Sequence, residues 1–275
     1  MKAMNTMKKR IICILLVLAL GGTAAACGND SVGYGVKSVQ TLVSQDYSLA
    51  FRNDDPIYFY VTAAIETLAA EGKVDELATK WFGDRIINFD KRAEALSELA
   101  APAVQDFTIG IDVNSFPMAY ISNDSYWGFD VELAMAVCER LGWTLKMQPI
   151  EKENVYIELS SGNIDCAWGG IALDQADVDA RKFTQYGPYV HNDIVIATRS
   201  GSSVWNKLRL GGRNMAMCST PEAMAALDTD QRLKKRLGQI TRLAGGTTEC
   251  FEYLYSGKCD TVLTDSTALY YFNCH

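Results

Sequence analysis

Residues 128–150 read GFDVELAMAVCERLGWTLKMQPI, and ELSSGNIDCAWGGIAL (158–173) and KFTQYGPYV (182–190) follow close behind. Ala134, Val137, Cys138 and Leu141 recur at i, i+3, i+4 and i+7, the apolar stripe of an amphipathic helix, and Gly142 ends it. A short strand is expected over Thr144–Gln148, then a second helix ending at Gly162. A buried strand over Ile164–Ala167 runs into Gly169-Gly170. The order is β-α-β-α-β, and it delivers a glycine turn at the carboxyl end of a strand, where open α/β sheets hold their ligands. Periodicity alone establishes an α/β domain and no more.

The wording of these stretches is more specific. GFDVELA before a helix, the glycine that ends it, SGNID, the glycine turn and PY together resemble the family 3 extracellular solute-binding proteins, the amino-acid receptors of ABC importers. The resemblance implies an α/β, two-lobed periplasmic-binding-protein-like (type II) fold. It also implies a cleft that closes on a small polar solute, first of all an amino acid.

The amino terminus suits an exported receptor. Lys8-Lys9-Arg10 precedes an apolar run, Ile11–Leu20, too short to span a bilayer, and Ala24-Ala25-Ala26-Cys27 closes the segment. Small residues before a cysteine resemble a lipobox, although A-x-A also suits ordinary signal peptidase. Residues 1–26 are expected to be a signal peptide, Cys27 the lipid attachment site and 27–37 a polar tether. The chain would then be extracytoplasmic and held to the membrane through its lipid alone.

The 275 residues are 48% hydrophobic and carry a net charge of −7. That suffices for one or two compact lobes, and the acidic balance argues against nucleic acid. Of the eight cysteines, none forms a C-x-x-C pair, and His191 and His275 are the only histidines, so no metal site is expected. Cys138 lies on a helix face and Cys166 in the strand beneath it; a bridge there and two buried thiols are both open readings. No nucleophile elbow or phosphate loop occurs, and no catalytic residue or cofactor is expected.

The order of segments is unusual. Residues 47–83 read YSLAFRNDDPIYFYVTAAIETLAAEGKVDELATKWFG. Val61, Ala64, Ile65 and Leu68 make one helical stripe, and Val74, Leu77, Ala78 and Trp81 make another ended by Gly83. A strand, an Asp-Pro turn and two helices ending in KWFG resemble the last segment of a family 3 protein. Here they precede the family's beginning, FTIGID at 107–112. The resemblance therefore implies a circularly permuted order, with a truncated tandem receptor as the competing explanation. One lobe is expected over 38–189: a moved tail (38–83), a joining linker (84–106, with a short helix before Pro102) and the family's start (107–189). The other is expected over 190–275, joined by a single crossover near Tyr189–Ile194.

The resemblance also nominates a site. Asp112, with Ser115 and Phe116 in the loop after it, corresponds to cleft-lining positions; a strand-end aspartate also serves simply as a turn former. Trp168, Gly169, Gly170, Ile171 and Ala172 match the turn whose backbone binds a ligand's main-chain atoms, with Ala172 where a hydroxyl residue is usual. Where the family carries its carboxylate-clamping arginine stands Asp177, with Arg181 a helical turn later. Lys152 occupies a position usually aromatic; both cations are equally read as solvated surface charges. Ser219 and Thr220 open a capped helix whose N–H groups suit a carboxylate. Asp265, in the pattern GKCDTVLTDS, corresponds to the partner of the ligand's ammonium.

The implied partners are a small-molecule solute and an ABC transporter permease. Two alternatives remain: a solute-sensing receptor without transport, and a dehydratase-like enzyme with Asp112, Glu151 or Glu153 as acid-base groups.

Overall fold

The computed structural model describes residues 35–84 and 86–275. The expected leader, Cys27 and most of the tether lie outside the described residues. Along the chain, β1 (Val36–Phe51) leads into α1 (Ile57–Ala70) and α2 (Lys73–Phe82). Then come β2 (Asp106–Ile111), a small sheet of β3 (Asn114–Ser115), β4 (Ala119–Ser122) and β5 (Ser125–Trp127), α3 (Phe129–Leu141) and β6 (Thr144–Pro149). Next are α4 (Val155–Ser161), β7 (Cys166–Ala167), α5 (Gln175–Asp179) and the long β8 (Thr184–Arg199). The remainder alternates: β9 (Met215–Cys218), α6 (Pro221–Asp228), α7 (Gln231–Arg236), β10 (Ile240–Leu243), α8 (Gly246–Tyr255), β11 (Thr261–Asp265) and α9 (Ser266–Cys274).

One sheet runs in the order β10-β9-β11-β8-β1-β7-β2-β6. The 16-residue strands β1 and β8 pair antiparallel along their whole length and belong to two halves at once. In the first half β1 pairs β7 through Ala50 and Phe51, and β7, β2 and β6 are parallel. In the second, β8 pairs β11 through Ile194–Ala197, and β11, β9 and β10 are parallel. The fold is α/β with two lobes, each built on one half of the sheet.

Burial explains why each half holds. Parallel strands need both faces covered. In the first half, Phe107, Ile109 and Ile111 pack with Val61, Ile65, Leu68 and Val137 from the helices on one side, while Ile164 and Ala167 pack with Val155 and Leu159 of α4 on the other. In the second, Ile196, Met215 and Leu263 pack with Ala226, Leu227 and Leu233 of α6 and α7, and Ala216 and Val262 pack with Phe251 of α8 and Ala268 of α9. Both stripes read from residues 61–68 and 74–81 are buried, and Gly83 caps α2 in the left-handed conformation.

Two expectations are revised and one open alternative is settled. A single crossover was expected near Tyr189–Ile194, but two strands cross: Ser38–Asp46 pairs with His191–Ala197 in the second half. Irregularities between Ser38/Gln40 and Thr41/Val43 break the two-residue alternation, which hides the strand in the sequence. Residues 90–104 hold turns over 93–98 and no helix, and they are tied sideways to α1: Arg92 pairs with Glu66, and the Leu96 N–H donates to Thr67 Oγ1. Of the two readings left open for Cys138 and Cys166, the structure has the separate buried thiols.

The start of β1 is pinned by α9. The Val36 N–H donates to Asn273 Oδ1 at 2.8 Å, and Asn273 Nδ2 donates to the Val36 carbonyl at 3.1 Å. Asn273→Ala removes both bonds and is expected to cost about 1–2 kcal/mol. Urea unfolding should show this as a lower midpoint with an unchanged slope.

Candidate functional site

The glycine turn after β7 is held from below by a carboxylate. Asp130, in the first turn of α3, lies on the helix's buried stripe and is wholly inaccessible. It accepts from Trp168 Nε1 (3.2 Å), from the Gly170 N–H (2.8 Å) and from the Tyr189 hydroxyl (2.6 Å). Burial pushes its carboxyl up to about 7 in spite of these donors. Gly170 adopts φ +65°, and a Cβ there would stand 1.9 Å from Ser115 Oγ. Only glycine fits.

Above this turn a cleft opens between the two halves. Asp112, Ser115, Lys152, Gly170, Ile171 and Ala172 line it from the first half; Thr220 and Asp265 face them from the second. Tyr47, where β1 passes between the halves, adds a wall residue that the sequence did not nominate.

Asp265 ends a buried polar chain. Its Oδ1 accepts from Asn192 Nδ2 at 2.6 Å and from the Tyr47 hydroxyl at 3.3 Å. Asn192 Oδ1 in turn accepts from the N–H and hydroxyl of Thr267. Ser115 Oγ reaches the Tyr47 hydroxyl at 3.4 Å and the Gly170 carbonyl at 3.1 Å, so the chain runs into the glycine turn. Beside it the Thr264 hydroxyl is buried with no partner among the described residues. An orphaned hydroxyl in a cleft wall is a costly feature that an incoming polar group would relieve.

The cleft's charges are unequal. Asp112, Glu222 and Asp265 face a single lining cation, Lys152, whose Nζ lies 3.9 Å from Glu222 Oε1 across the cleft. Burial raises Asp265, opposed by the bonds from Asn192 and Tyr47. Burial also pushes Asp112 up to about 6, against its bond from the Asn114 N–H, with Glu222 and Asp265 adding repulsion. Glu151 and Glu153 stand with Glu222 in an acidic trio whose oxygens come within 4.8 Å of one another, but both are exposed and Lys152 lies between them in sequence.

Four nominated residues sit elsewhere. Trp168 is fully buried and serves Asp130, the fate of a tryptophan whose strand is covered on both faces. Gly169 uses its carbonyl to accept from the Asp112 N–H. Phe116 packs between Tyr120 and Tyr271, and it and Ser219 line an adjoining groove. Thr220, not Ser219, caps α6, because Pro221 takes the first helical position. Arg181 is exposed and outside the cleft, and Asp177 pairs with Lys182. Asp130 and Asn192 went unnoticed, though a carboxylate in register with Ala134 and Val137, and an amide inside VHNDIVI, were signals available to find them.

A two-lobed α/β fold with a polar cleft at its double crossing is the architecture of a solute-binding protein. Residues 107–269 match the model of the bacterial extracellular solute-binding proteins, family 3, and the chain belongs to that family. It is similar to the probable amino-acid-binding protein YxeM of Bacillus subtilis (strain 168), 28% identical over 161 residues, which covers 58% of this chain and 60% of YxeM. The match thus spans less than two thirds of that relative. Among solved structures, a polar amino acid ABC uptake transporter substrate-binding protein from Streptococcus thermophilus is 27% identical, covering 58% of this chain and 61% of that one with a TM-score of 0.44. An ABC uptake transporter substrate-binding protein from Streptococcus pneumoniae with bound histidine is 26% identical, covering 59% and 66%, with a TM-score of 0.45. The family is one of binding proteins rather than enzymes.

Two outcomes are expected of the buried acids. Asp130→Ala orphans three donors and should destabilise the fold by about 3 kcal/mol or more in urea unfolding. The folded-state carboxyls of Asp112 and Asp130 hold protons more tightly than those of the unfolded chain, near 4. Their contribution is therefore full below about pH 4 and lost as pH rises through about 6 and about 7. Calorimetry without solute should show Tm falling across that window, and Asp112→Asn should flatten its lower part.

Proposed function

We propose that the chain is the extracytoplasmic substrate-binding lipoprotein of an ABC importer, anchored through Cys27, that closes on an amino acid or similar polar solute. The observation that carries this reading is the Asp265–Asn192–Tyr47 chain facing Asp112 across the cleft. A carboxylate held by fixed donors needs no reorganisation to receive an ammonium group, and closure around it strengthens the pairing by excluding water. The histidine bound to the Streptococcus pneumoniae protein is a solute of this chemistry.

The charge balance narrows the solute class. Three lining acids against Lys152 favour a solute with net positive charge, and Arg181 lies too far out to clamp a carboxylate. Lys152, the amino terminus of α6 at Thr220 and the backbone of Gly170–Ala172 are left to receive a carboxylate. Ser115 and the Thr264 hydroxyl would add polar contacts.

We also propose that the segment order is a circular permutation of the family's, with 38–83 as its moved tail. Supporting this, β1 enters the sheet between β7 and β8, and Asn273 of α9 holds Val36. An uninterrupted family chain would pass from α9 into β1 at this place.

Thermal shifts with arginine, putrescine, glutamine and glutamate at equal ionic strength test the solute class. Arginine or putrescine is expected to stabilise the protein and glutamate to leave it unchanged. Selective glutamate binding would overturn the cationic assignment. Asp265→Ala should weaken binding of the stabilising solute by about 2–5 kcal/mol in calorimetry while leaving the circular dichroism intact. Unchanged affinity would remove Asp265 from the site.

A further inference from the structure

Cys218 and Cys250 meet behind the cleft. Cys218 ends β9 and lines both the cleft and the adjoining groove, so small molecules can reach it. Cys250 lies in the middle of α8 and is wholly buried. Their sulfurs are 3.8 Å apart, and the Thr247 hydroxyl stands 3.6 Å from Cys218 Sγ. A disulfide requires about 2 Å between sulfurs, a closure within the reach of side-chain rotation when the backbone already faces the pair. Both residues sit in regular elements packed against each other, so their approach is built into the lobe.

We infer that Cys218 and Cys250 form an oxidisable dithiol in the cleft wall, a modification site that closes to a disulfide by exchange with a low-molecular-weight disulfide. The order of events follows from exposure. The Cys218 thiolate attacks the external disulfide, forming a mixed disulfide and releasing one thiolate. Cys250 then loses its proton and attacks the Cys218 sulfur, expelling the second thiolate. The protein gives up two electrons and two protons, and the external disulfide is reduced to two thiols. The hydrogen bond from Cys250 holds Cys218 below the ordinary thiol range, which favours it as first nucleophile. Closure would draw the Cys218 sulfur towards α8 and change the wall shared by cleft and groove. The inference stands on the thiol geometry and does not depend on the solute.

The test uses the full chain, folded, at pH 8 with excess oxidised glutathione, followed by alkylation and non-reducing tryptic mass mapping. Asn214–Arg232 and Leu243–Lys258 each hold one cysteine. They are expected as a single linked species, two hydrogens lighter than their sum and separated by dithiothreitol. Cys250→Ser should instead accumulate a glutathione adduct on Asn214–Arg232, since the second step is blocked. Recovery of the wild-type peptides unlinked from folded protein, whether unmodified or as separate adducts, would overturn the proposal. So would a Cys250→Ser protein, folded by circular dichroism, whose Cys218 takes up no glutathione.

Discussion

A carboxylate that water never reaches must spend its lone pairs on fixed donors, and Asp130 takes its three from the glycine turn and from the strand that crosses between the lobes. It ties the first turn of α3 to the indole after β7, to the backbone of Gly170 and to Tyr189 in β8. The glycine turn is thereby fixed relative to the strand that crosses between the lobes. Ser115 can approach Gly170 because no side chain stands there, and through Ser115 the turn is joined to Tyr47 and Asp265. The floor of the cleft and its acidic wall on the far lobe thus form one continuous polar path. A shift in α3 would be felt at the wall opposite.

That path separates structural polarity from polarity left over. Asn192 is inaccessible and its amide is fully engaged, so it acts as a strut. The Thr264 hydroxyl, one residue before Asp265, is hidden and unengaged among the described residues, and Asp112 and Asp265 are raised chiefly by burial, with repulsion from neighbouring acids adding to it. Groups left unsatisfied in one place, with good supports behind them, are the mark of a surface shaped for something else to complete it.

The helices and the turn were legible in the sequence because their signals are local: a stripe at 3.6-residue spacing and glycines that end it. What was hidden depended on partners distant in the chain. The first half of β1 alternates badly because irregular pairing absorbs extra residues, so Val36, Val39 and Leu42 fall out of phase. DKRAEALSELA has helical composition, yet its charges and backbone find partners on α1 instead. Trp168 was nominated for the cleft because the motif stops at the right strand; the motif could not tell which face of that short strand is covered. Eight of the nominated residues do line the cleft, since the family pattern encodes the ends of strands, where the turn's chemistry is local as well.

Sharing β1 and β8 between the lobes leaves each lobe with a border made by the other's inner strand. In the first lobe the border is Thr184–Val190 of β8, where Pro188 offers no donor and the joining segment lies over the rest: the Asn88 N–H donates to Tyr189, and Phe89 stacks on Tyr186 and Tyr189. In the second it is Val36–Gln45 of β1, which after the Asn273 clasp at Val36 pairs with no strand on its outer side among the described residues and is interrupted by two irregularities and a lysine. Unpaired strand borders recruit other strands into aggregates, and bulges, charge and cover are the known protections. The joining segment therefore guards one lobe against strand addition, while the other relies on its uneven register, on Lys37 and on the clasp of Asn273 at Val36. Straightening β1 by removing its extra residues would yield a better strand and a stickier protein.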